Sequence, residues 1–217
     1  MANFSTDADL LKWEPTLFRD LAVGGQRLAS GLDGTTSGIT LTSASAAFLD
    51  ARVTPGHVLR LVGQENDECG CYEILSVESQ TELLATQVGR AASDSVDLPT
   101  GSDWVYCIDT FDPQAEEVRF ELLTRLGLST DEQGLEQEEL VLQRRQLRRA
   151  SVFATLLMVF EGQSGSSQEG RNLAAKAALY RQLYEKELAK IRVNLDRDGD
   201  GLPDDMRAPG SIRLQRG

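Results

Sequence analysis

Hydrophobic positions change their spacing twice along this chain. The first stretch is helical. Thr6 or Asp7 can cap a first turn, and the acids Asp7 and Asp9 suit its positive end. Leu10, Leu11, Trp13, Leu17, Phe18 and Leu21 supply apolar anchors, Pro15 divides the stretch, and Gly24-Gly25 ends it. From about residue 30 to 110 the helical period disappears. Short β-type runs at 38–42, 57–62, 71–77, 82–86 and 103–108 alternate with turn residues such as Gly31-Leu32-Asp33-Gly34 and Pro55-Gly56. Five such strands predict a small antiparallel barrel or sandwich, with one helical turn at 46–51. Helical spacing returns after Phe111-Asp112-Pro113. Val118, Leu122, Leu123 and Leu126 share a face, and Gly127 is a natural stop. A second helix is expected over 134–160, its apolar end at 152–160 buried. After a Gly/Ser loop at 162–167, a last helix carries Leu173, Ala177, Tyr180, Leu183, Tyr184, Leu188 and Ile191 as far as Val193.

The pattern therefore predicts an α+β chain. A helical bundle takes its first helix from 1–29 and the rest from 111–195, a β domain is inserted at 30–110, and 196–217 form an Asp-rich loop and an extended C-terminal arm. The arm has too little apolar content to fold alone. It alternates basic and apolar groups at Arg207, Ile212, Arg213, Leu214 and Arg216, as an arm that orders on docking would.

The join between helix and arm holds the densest chemistry. Asp196, Asp198, Asp200 and Asp204 are spaced so that carboxylates can converge on one hard cation, with the Leu202 carbonyl as a further ligand. Counted from Asp196, Gly201 takes the sixth position, where a calcium loop turns sharply. The twelfth position holds Arg207 instead of a bidentate Glu, and Pro203 opposes a following helix, so the loop is not an EF-hand. It resembles the first nine positions of a calcium loop of the thrombospondin or dockerin kind. Ca2+ is the expected ion there, and no cofactor is required. The bland alternative is a solvated acidic tail.

Charge and composition narrow the function. The 217 residues carry a net charge of −12. Basic residues cluster at 143–149 and 186–192 within helices that also carry acids, so tight DNA binding is not expected. An acidic surface suits simple solubility, and also a conduit through which DNA slides without sticking. Arg144, Arg145, Arg148 and Arg149 read first as ion-pairing residues and second as phosphate contacts. No apolar run is long enough to span a bilayer, and the first residues do not read as a signal peptide, so synthesis in the cytoplasm is expected. Cys69, Cys71 and Cys107 are odd in number and wrongly spaced for zinc, so unpaired thiols are expected. The single histidine, His57, reads as a turn-edge residue. No nucleophile, phosphate-loop, dinucleotide or metalloprotease motif is present, and the expectation is a protein that is not an enzyme.

The helix at 173–193, followed by Leu195-Asp196-x-Asp198-Gly199-Asp200-Gly201-x-x-Asp204, resembles the end of tailed-bacteriophage head–tail adaptor proteins, also called connector or head-completion proteins. The opening Asp9-Leu10-Leu11-Lys12-Trp13-Glu14-Pro15 is similar to their starts. Residues 37–48 and 53–61 look like small barrels inserted in phage structural proteins, which more usually carry Asp where this chain has His57. The resemblance implies a virion component, made in the host cytoplasm and placed at the head–tail neck. It implies a homo-oligomeric ring, typically a dodecamer, under the portal protein. It also implies an arm reaching into the portal, a lower face receiving a neck or tail-completion protein, a channel for passing DNA, and no membrane. A calcium-loop binding module of non-viral origin is the alternative.

Overall fold

The computed structural model describes residues 3–21, 25–63, 69–128, 141–164, 168–196 and 198–209. Among these, five helices accompany a closed six-stranded antiparallel barrel and a separate two-stranded sheet, so the chain is α+β. It divides into two compact units, one of Thr6–Phe111 and one of Met1–Ser5 with Asp112–Gly217.

The first unit is the barrel. Its strands are β1 (Arg27–Ser37), β2 (Thr40–Thr42), β3 (Val58–Val62), β4 (Cys69–Val77), β5 (Glu82–Gln87) and β6 (Gly101–Asp109). They run in the order β1-β2-β5-β4-β3-β6, and β1 pairs with β6 to close the ring. Leu41, Leu59, Leu61, Ile74, Leu83, Ala85, Tyr106 and Ile108 fill the core from the strands, joined by Phe48 and Leu98 from the connections. Leu98 is held by its N–H to the Gly38 carbonyl at 2.8 Å.

β1 was not visible in the sequence. Gly31-Leu32-Asp33-Gly34 reads as a turn but lies inside the strand, where the register against β6 shifts between Gly31 and Gly34. A Cβ at Gly31 would come within 2.6 Å of the Tyr106 ring, so the bare backbone is what admits that ring to the core. The buried phenol meets Ser43 Oγ at 3.0 Å, and Ser43 in turn donates to Asp33 Oδ1 at 2.7 Å. Asp33 also accepts from Ser45 Oγ at 2.8 Å and from Ser45 N–H at 2.9 Å. These donors, Ser43 first and Ser45 next, hold the Asp33 carboxyl down at about 2. Burial pushes the Tyr106 phenol up.

α1 (Asp7–Trp13) and α2 (Leu17–Asp20) belong with the barrel, although 1–29 was expected in the helical bundle. A capping box between Thr6 and Asp9 starts α1, and the break before α2 falls at Pro15 as expected. Ala8 N–H donates to the Gly56 carbonyl at 2.9 Å. Gly56, at φ 91°, lies where a Cβ would meet Thr6 at 2.9 Å, so the docking of α1 requires glycine there. α2 lies against β3 and β4, and Phe18 meets Phe111 with ring centroids 5.1 Å apart.

In the second unit, α3 (Asp112–Arg125) buries Ala115, Val118, Leu122 and Leu123 and stops at Gly127 with φ 69°. α4 (Arg145–Gln163) packs against both α3 and α5 (Gln168–Leu188). It is buried without a break from Ala150 to Leu156, whereas Met158, within the 152–160 stretch expected to be buried, is exposed. Phe153 and Phe160 both meet Tyr180 of α5, at 6.0 and 5.6 Å. Tyr184 donates to Glu121 Oε1 at 2.9 Å, which also accepts from Arg125 Nε at 2.7 Å.

Two helix boundaries differ from expectation. α4 begins at Arg145; 141–144 form a bridge and a turn, and 134–140 lie outside the described residues. α5 ends at Leu188, and the apolar positions continuing to Val193 and Leu195 belong to β7 (Val193–Leu195).

Two outcomes follow from these cores. Thr155 is fully buried on α4, and among the described residues its hydroxyl has no hydrogen-bond partner. Thr155→Val should therefore raise stability by about 1 kcal/mol in urea unfolding, since it removes an unsatisfied group while keeping the shape. A lowered midpoint would mean the hydroxyl is paired. Asp33 is more acidic folded than unfolded, so its contribution is complete above the ordinary aspartate range and is lost as pH falls toward about 2. Acid titrations of wild type and Asp33→Asn should thus converge with falling pH, the wild type losing its advantage; parallel curves would refute the assignment.

Candidate metal-binding hairpin

The Asp-rich segment is the tip of a β-hairpin. β7 pairs antiparallel with β8 (Asp205–Arg207), with Val193 opposite Arg207 and Leu195 opposite Asp205. On its other side β7 is held by a bridge from Leu195 to Val141 and by Leu142 N–H donating to the Asn194 carbonyl at 3.1 Å. Val193 and Leu195 are buried, and this anchors the hairpin base. The expected extended arm is thus strand at 205–207. Residues 210–217 lie outside the described residues.

Asp196 organises the tip. It is only 8% exposed, and its two carboxylate oxygens accept the N–H groups of Gly199 at 2.7 Å and Gly201 at 2.8 Å. Both glycines have positive φ, 79° and 82°, a backbone shape that glycine adopts without strain. The Asp204 N–H closes the loop on the Leu195 carbonyl at 2.9 Å.

Of the four expected carboxylates, three come together. Asp196, Asp198 and Asp204 each offer an oxygen within 4.8 Å of the others. Oxygens on opposite sides of a Ca2+ ion lie about 5 Å apart, so this spacing suits a shared ion of that size. Asp200 stands outside the group, and its Oδ1 accepts the Leu202 N–H at 2.7 Å. The Leu202 side chain is exposed. Sequence spacing could not separate Asp200 from the others, because all four are the same residue type and the path of the folded loop decides which side chains meet.

The expected docking residues are distributed differently. Arg207 sits in β8 with its side chain 17% exposed, donating from Nε to Asp205 Oδ2 at 2.9 Å. Its Nη1 lies 3.3 Å from where a Cβ on Gly127 would stand, at the end of α3. Ile212, Arg213, Leu214 and Arg216 lie outside the described residues.

The other candidate groups are placed within the barrel unit. His57 is buried, and its Nδ1 accepts the Thr54 N–H at 3.1 Å, which makes it part of the turn before β3. Neither Cys71 nor Cys107 is in a disulfide, and Arg60 Nε donates to Cys107 Sγ at 3.2 Å. Charge is unevenly divided. Thr6–Phe111 holds sixteen acidic and six basic residues, so most of the net charge of −12 belongs to the barrel unit. Among the described residues no helix is long and apolar enough to cross a membrane.

No protein family, curated protein or solved structure matches this chain.

Proposed function

We propose that the chain is a structural adaptor of the head–tail type found in tailed bacteriophages, working as a ring between portal and neck and without catalytic turnover. The observation that carries the reading is the chain's ending. A long amphipathic helix, α5, is followed at once by a hairpin whose tip gathers Asp196, Asp198 and Asp204. The barrel adds support, since the chain leaves one helical unit after Ser5 and rejoins it at Asp112, as an inserted domain would.

On this reading α3, α4 and α5 form the bundle that contacts neighbouring copies. The segment 210–217, with Ile212, Arg213, Leu214 and Arg216, is the arm that orders in the portal, while Arg207 secures the strand before it. The acidic barrel unit lets DNA pass without a grip. Deleting 210–217 should leave the helical content and the ring intact and abolish co-sedimentation with the portal protein of the same genome. A protein that stays monomeric at high concentration, or a truncated ring that docks unchanged, defeats the proposal.

The hairpin tip is proposed to bind Ca2+ and to clamp the hairpin's two strands. Without a bidentate Glu, affinity should be about millimolar in the isolated protein. By calorimetry, Asp198→Ala and Asp204→Ala should each abolish the heat of Ca2+ binding, while Asp200→Ala should largely retain it. Wild-type heats equal to those of Asp198→Ala would leave a solvated acidic turn. The alternative, a calcium-loop binding module, shares the ion and lacks the ring, so oligomeric state separates the two.

A further inference from the structure

The hairpin tip contains two Asp-Gly peptide bonds, Asp198-Gly199 and Asp200-Gly201, each between exposed residues. Such bonds are chemically weak. The glycine nitrogen attacks the aspartyl Cγ, the nitrogen's proton and the carboxyl's hydroxyl depart as water, and a cyclic imide forms. Water then reopens the ring at either carbonyl and returns aspartate or isoaspartate. Isoaspartate inserts an extra backbone carbon into the loop between β7 and β8.

Here the two attacking nitrogens are the ones that Asp196 holds. Gly199 N–H donates to Asp196 Oδ1 at 2.7 Å and Gly201 N–H to Asp196 Oδ2 at 2.8 Å. We infer that the buried Asp196 carboxylate protects both Asp-Gly bonds from isomerisation, and that Asp198 and Asp200 are the residues modified when it is lost.

Three effects combine. Attack needs the peptide plane to turn toward the side chain, and each hydrogen bond fixes that plane. The nitrogen must also give up its proton to attack, and the negative charge this leaves on it is disfavoured by a carboxylate at this distance. The electrophiles are held away as well. Asp198 Oδ1 accepts the Asp200 N–H at 3.2 Å and Asp200 Oδ1 accepts the Leu202 N–H at 2.7 Å, so each carboxyl is engaged two residues on instead of one. Asp196 keeps its place because Leu195, beside it, is buried in the hairpin base. This inference is independent of the adaptor reading and of any bound ion.

The test is ageing of the full-length protein at physiological temperature and near-neutral pH, with a chelator present so that no cation contributes. Isoaspartate is counted by enzymatic methylation and located by peptide mass spectrometry. Wild type should stay near background at both bonds. Asp196→Ala should isomerise roughly five-fold faster at both, the factor expected from one hydrogen bond of ordinary net strength. Asp196→Asn, of the same shape but with one acceptor oxygen, should expose at least one bond. Pro203→Gly, which loosens the loop but keeps the carboxylate, should age like wild type. The inference is overturned if Asp196→Ala and Asp196→Asn both age as slowly as wild type. It is equally overturned if Pro203→Gly ages as fast as Asp196→Ala, because loop looseness would then be the cause.

Discussion

Barrel closure depends on one ladder, the pairing of β1 with β6, and the local structure around it follows from that constraint. Arg27 stands opposite Asp109 and bonds it at 2.9 Å, so the first and last strands start and finish side by side. The chain can then enter and leave the barrel at adjacent points, and Phe111 N–H donates to Asp7 Oδ1 at 2.9 Å across that entrance. Along that ladder Gly31 stands opposite Tyr106, and the register shifts just beyond it. Gly31 leaves room for the ring, Ser43 and Ser45 satisfy its phenol, and Asp33 accepts from both serines. Without the glycine the ring would have no room, and without the serines its hydroxyl would be buried at a cost.

The sequence conveyed elements whose signal is local and strong. α4 was legible because 152–160 are apolar nearly all round, and α3 because Val118, Leu122 and Leu123 repeat with Gly127 to end them. β1 was not legible, since its Gly31 and Gly34 carry turn chemistry and only the distant Tyr106 and Trp104, which crowd them in turn, explain them. β7 was hidden for another reason. Val193 and Leu195 continue the apolar run of α5, and what converts them to strand is pairing with Val141 and with β8 rather than anything in their own spacing. The N-terminal helices were legible as helices but not as part of the barrel unit, because the deciding contacts, such as Ala8 with Gly56, span some fifty residues.

The metal-binding candidate shows the same division. Its residues were legible from spacing alone, and three of the four acids do converge. Their arrangement was not, because a hairpin presents the loop differently from a helix-to-arm joint. In a hairpin both ends of the loop are fixed by paired strands, so Asp204 is returned to the neighbourhood of Asp196 instead of trailing away. That return lets a nine-residue segment act as a closed unit, organised by one carboxylate and two glycines.

A closed barrel also has no unpaired rim along which another chain could extend it, so crowding many copies together offers its sheet no template for fibrous growth. Among the described residues the two-stranded sheet is the exception, because β8 forms its outer strand. That strand is three residues long and carries Asp205 and Arg207 on either side of Met206. Short length and flanking charge are the usual means by which proteins keep an open strand from recruiting others. Among the described residues the aggregation hazard of an open edge is therefore confined to the small two-stranded sheet and guarded there.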